Sequence, residues 1–245
     1  MNYICCFIVL FLLAPFCKGQ HAQTNNPKVS MNTYKVGTSP ILKNFQVLNA
    51  DDQVVDSIMH SYDRHVDSLL KYDENAKRYG MKKRRDFKIN RSRVWITETI
   101  NGKDTLLVKG STPSEGASSL CECNIKNDTL FVQSAIGTHF APRRVWIKVY
   151  GDQFRAFYHK HNDDYYKPFQ LAPNTPFSDK INSESKYQFL QFEQQPSFQL
   201  NQTLTGYLTF ESNTFYEKLV PTDRVEKKQI TARLKFTCVT QQQFY

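Results

Sequence analysis

Arg93-Val94-Trp95-Ile96-Thr97-Glu98-Thr99-Ile100, Asn101-Gly102, Lys103-Asp104-Thr105-Leu106-Leu107-Val108: read in this order, the stretch is a β-hairpin. Side chains on a strand alternate between two faces, so a period of two marks a half-buried strand and a period near 3.6 a helix. Asn-Gly supplies the two positive φ angles of a type I′ turn, whose twist matches the strands it joins.

The same pattern continues downstream. Cys121–Ile125 and Thr129–Val132 flank Asn127-Asp128, and Val145–Tyr150 and Gln153–Lys160 flank Gly151-Asp152. Tyr187–Phe192, Leu204–Glu211 and Gln229–Thr240 alternate as well. Eight or more short strands imply a mainly β fold, an antiparallel sandwich or barrel. Arg93-Val-Trp-Ile recurs as Arg144-Val-Trp-Ile, an echo too short to establish a duplicated unit.

Upstream the period changes. Val55, Ile58, Met59, Tyr62, Val66, Leu69 and Leu70 fall at spacings of three and four, which predicts one amphipathic helix with its stripe on the sheet. Asp51 and Asp52 suit its N-terminus, and Gly80 is a natural stop. His60, Arg64, Asp67 and Lys71 form its wet face. The organisation expected is a signal peptide over 1–19, an extended polar arm over 20–50, the helix and a basic linker over 51–90, and a β-rich domain over 91–245.

Ile4 to Phe16 is an apolar run too short to span ~30 Å of hydrocarbon, which needs about 20 residues. It fits the apolar region of a signal peptide, with Cys17 and Gly19 at −3 and −1 of a cleavage before Gln20, although Met1-Asn2-Tyr3 carries no Lys or Arg. Lipidation of Cys17 is a second route, against which the bulk of Phe16 counts. No second run approaches a membrane span, so the mature chain is expected to be secreted or periplasmic, in solution or held at a cell surface.

Cleavage leaves Cys121, Cys123 and Cys238. In an oxidising compartment that means one bridge and a spare thiol, or three buried thiols. Cys238 shares a face with Ile230, Ala232, Leu234 and Phe236, and Cys121 and Cys123 share one with Ile125. Neighbours at i and i+2 on a strand stand about 6.5–7 Å apart with parallel side chains, which argues against a Cys121–Cys123 bridge and allows one from either to Cys238.

The formal charge of +9 (+8 without Lys18) is concentrated between residues 77 and 93, where Arg84 and Arg85 sit among seven other cations and one acid, Asp86. Such a cluster attracts polyanions, here acidic polysaccharide or lipid phosphate, or is a solvated linker. Tyr79 and Phe87 are too few to stack bases, so nucleic-acid readout is not expected.

His159-Lys-His161-Asn-Asp163 is the sharpest chemical constellation: two imidazoles on one strand face and a carboxylate can hold a metal ion. The pair is similar to the HxH of cupin-type barrels, but the glycine spacing upstream and the following Glu are absent. The bland alternative is two wet histidines at a strand end. Tyr165 and Tyr166 lie in an aromatic-rich stretch, Phe154 to Phe169, that suits stacking on sugar or peptide. No nucleophile elbow, P-loop or dinucleotide fingerprint occurs, and the identity of any cofactor stays unknown. Two functions follow: an exported, non-catalytic binding or structural protein, or a metal-dependent or carboxylate hydrolase centred on His159 and His161.

Overall fold

The longest strand shows how the chain folds. Val225–Gln242 alternates between exposed or half-buried and fully buried residues almost throughout, and Ile230, Ala232, Leu234, Phe236 and Cys238 all point inward. The protein is described by a computed structural model over residues 31–43, 45, 47–75, 87–106, 116–136 and 143–242. The apolar N-terminal run, Gly80, Arg84, Arg85 and residues 107–108 lie outside the described residues. In chain order the elements are β1 (Asn32–Thr33), β2 (Lys35–Val36), α1 (Pro40–Lys43), α2 (Ala50–Tyr72), β3 (Arg91–Ile100), β4 (Lys103–Leu106), β5 (Ala117–Lys126), β6 (Thr129–Ile136), β7 (Arg143–Tyr150), β8 (Gln153–His161), β9 (Phe169–Gln170), β10 (Lys180–Phe192), β11 (Thr203–Ser212), β12 (Phe215–Lys218) and β13 (Val225–Gln242).

The fold is mainly β and antiparallel, as expected. Eight strands, β3, β5, β6, β7, β8, β10, β11 and β13, each pair antiparallel with the next, and β13 pairs back onto β3 from Lys228↔Ile100 to Thr237↔Arg91. The ring therefore closes into a barrel, which removes the open edges of a sandwich. Three strands turn corners by changing partner. β5 leaves β3 for β6 at Cys121, β10 leaves β8 for β11 across an irregularity between Ser185 and Tyr187, and β13 runs past β3 to pair with β5 at Thr240↔Cys123. Irregular register at such corners lets a strand bend from one sheet direction to the next.

Where β8 and β10 diverge, the N-terminal arm fills the gap: Asn32 and Thr33 pair with β8, and Lys35 and Val36 with β10. Twenty-five buried hydrophobic residues fill the interior as one cluster. Asn101 and Gly102 (φ 49° and 86°) and Asn127 and Asp128 (φ 49° and 56°) take the positive angles that the turn chemistry demands.

Helix α2 opens with a capping box, in which Asp52 N–H donates to the Asn49 side chain and Asn49 N–H donates to Asp52. Its apolar stripe faces inward as expected, with Val66 fully buried and Val55, Met59, Tyr62, Leu69 and Leu70 half-buried. Ile58 is 57% exposed, and the buried contact at the first turn is Asp52 itself. The Asp52 carboxylate accepts from Arg93 at 2.7 Å and Ser118 at 2.6 Å, with Arg91 at 3.7 Å, and the Phe45 ring lies against both guanidinium groups. Burial alone would raise the Asp52 carboxyl; these hydrogen bonds and the Arg93 charge outweigh it and hold the group below its ordinary value. Among the described residues, no helix is long and apolar enough to cross a membrane.

Candidate functional site

The strand register builds an ordered surface on the outside of β6, β7 and β8. Residues facing inward on β7 and β8 are Val145, Ile147, Val149, Phe154, Ala156 and Tyr158, so the alternate positions face out. They form three rows across the strands. The first is Ala135, Arg144, His159 and Asn182; the second is Gln133, Trp146, Phe157 and Glu184; the third is Phe131, Lys148 and Arg155.

His159 is 8% exposed. Its ring stacks on Trp146 (centroids 4.9 Å apart, planes 11°), and Nδ1 meets Asn182 Oδ1 at 2.7 Å. Burial lowers its pKa, and the charges of Arg144 and His161 lower it further, against the Asn182 hydrogen bond. The imidazole is therefore neutral at physiological pH. Trp146 also meets Phe157 edge-on at 5.4 Å. Lys148 Nζ lies 5.6 Å from the Phe131 ring centroid and 5.1 Å from that of Phe157.

The column on β8 continues to His161, whose Nδ1 lies 2.8 Å from Asp163 Oδ1 and whose Nε2 lies 3.6 Å from Asp179 Oδ2. The following loop is clamped by Asn162, whose side-chain amide donates to the carbonyls of Asp164 and Tyr166. On that loop Tyr165 is fully exposed and Tyr166 is 38% exposed. Of the residues singled out from sequence, the fold thus places His159, His161, Asp163, Tyr165 and Tyr166 along one strand and its loop. The two imidazoles have separate partners: Trp146 and Asn182 hold one, Asp163 and Asp179 the other.

Cys121 and Cys238 are joined across the β5–β13 seam, and Cys123 lies beside them, all three buried. Their sulfur atoms lie within 4.8 Å of one another. With two of them in a disulfide, the trio offers no set of three thiolates to a metal.

Sequence reasoning missed a second charged cluster at one end of the barrel interior. Lys160 Nζ lies 2.6 Å from Glu217 Oε1, and Lys228 Nζ lies 2.9 Å from Glu217 Oε2, 3.4 Å from Glu98 and 3.6 Å from Glu226. Beneath it Tyr158 stacks on Phe215 at 6.1 Å. Burial alone would raise the Glu217 carboxyl, but the two lysines outweigh it and hold the group low. The signal was in the sequence: Glu226 and Lys228 are in phase with Ile230, and Lys160 with Tyr158, so alternation puts their charges on the core face. Every carboxylate here has a cation, which is the arrangement of a sealed ion cluster.

Comparison of the chain with family models, curated proteins and solved structures finds no match.

Proposed function

We propose that this chain is an exported, non-catalytic binding module: a closed β-barrel that presents its ligand surface on the outer face of β7 and β8 and the loop beyond. The observation that carries the reading is the continuity of that surface. Aromatic and polar side chains in strand register run from Lys148 and Arg155 through Trp146 and His159 to a clamped loop bearing the fully exposed Tyr165. Side chains held by a rigid sheet lose little freedom on binding, which favours recognition. The buried Cys121–Cys238 bridge supports an oxidising destination.

The hydrolase alternative requires His159 and His161 to share a metal ion, and their separate partners support it less well. Native mass spectrometry of the mature chain from a secretory host tests both. A mass equal to the chain less two hydrogens, with no metal, is expected. A stoichiometric transition metal lost on changing both histidines to Ala would overturn the binding reading. The surface itself is tested on an array of glycans and peptides: W146A and Y165A should weaken capture of the bound ligand, and equal capture by both variants would exclude this face.

A further inference from the structure

The third row of the outer face carries an unbalanced charge. Lys148 and Arg155 stand directly opposite each other on β7 and β8, and Arg144 lies on the same face of β7, four residues or ~13 Å along the strand from Lys148. Like charges directly opposite across a sheet are destabilising. None of the three forms an ion pair among the described residues. The nearest carboxylates in these rows are at the margins, with Glu122 on β5 accepting from Gln133 and Glu184 on β10 opposite Phe157. The face is rich in donors and positive charge, poor in acceptors, and framed by aromatic rings.

Building on the binding reading above, we propose that this face docks an acidic polysaccharide, whose carboxylate or sulfate groups pair with Lys148, Arg155 and Arg144. The rings decide against a lipid surface. Phe157 is 9% exposed and Trp146 is half-buried, so neither stands out far enough to enter a bilayer.

The test uses the full mature chain on immobilised heparin and polygalacturonate, with dextran, anionic phosphatidylglycerol vesicles and single-stranded DNA as comparisons, across a salt series. Wild type should bind both acidic polysaccharides in preference to the comparisons, more weakly as salt rises. K148Q/R155Q should bind them at least about tenfold more weakly, with a shallower salt dependence. The same loss should appear in a K82A/K83A/R84A/R85A background, which neutralises four of the nine cations between residues 77 and 93. R155Q alone should not lower the melting temperature and should raise it by about 1–3 °C, because a like-charge pair is relieved. Failure of wild type to bind either acidic polysaccharide overturns the proposal, as does stronger binding to vesicles or DNA or undiminished binding by K148Q/R155Q. A neutral glycan captured by wild type and lost in W146A would leave the binding face standing and remove only the acidic class. Acidic polysaccharide bound equally by wild type, W146A and K148Q/R155Q would remove the face itself.

Discussion

Asp52 shows what one buried carboxylate does here. It is fully buried, caps its own helix and neutralises arginines on a strand 41 residues away. Replacing it by Ala leaves Arg91 and Arg93 buried without their anion, and removing one partner of such a pair costs about 3–5 kcal/mol. Urea denaturation of Asp52→Ala should show that loss, where an unchanged midpoint would mean that the helix anchor lies elsewhere. Glu217 makes a pH prediction. Its carboxyl is held below the ordinary 4.5 because Lys160 and Lys228 outweigh the effect of burial. A carboxyl lowered by folding stabilises fully above its unfolded value, and that gain is lost as the pH falls through the folded value. The melting temperature of the wild type should therefore fall on acidification below about pH 4.5, and E217Q should show a shallower fall. Parallel acid limbs would mean that the cluster does not couple to stability. None of these partnerships was legible in the sequence, because each depends on which strands become neighbours.

At the scale of elements, periodicity carried far. The three hairpin turns and the alternation of β13 were readable because positive φ and a period of two leave direct chemical marks on residue type. The short pieces β1, β2, β9 and β12 were not, since two to four residues carry too little period to register. Helix α2 was legible as a helix and in its inward stripe, on which Val66 is buried, but not in its first turn, which the Asp52 carboxylate fixes to Arg93. Asn49→Ala removes the cap and should cost ~1 kcal/mol, measured as a drop in thermal stability. Gly206 answers a packing need that alternation does not reveal. It lies opposite Phe236, whose ring occupies the space a Cβ would take. Gly206→Ala should cost about 1–3 kcal/mol by overpacking. A neutral result in urea denaturation would show that the Phe236 ring moves aside.

For the molecule as a whole, the long closure between β3 and β13 turns a meander into a barrel, and Cys121–Cys238 locks the seam beside it across a sequence separation of 117. Loss of such a cross-link costs about 2–5 kcal/mol, so Cys238→Ser should unfold at clearly lower urea than wild type, whereas equal midpoints would mean that strand pairing alone holds the seam. Sequence by itself determined the β class, the turns, the inward and outward residues of the long strands and the burial of three cysteines, because turn chemistry and side-chain alternation are local properties of the chain. Only the tertiary structure decided between sandwich and barrel, chose Cys121 over Cys123 as the partner of Cys238, separated the surroundings of His159 and His161, and set Lys148 against Arg155. Each of these depends on the register between strands, which arises when hydrogen-bonded neighbours are chosen and is written in no single segment.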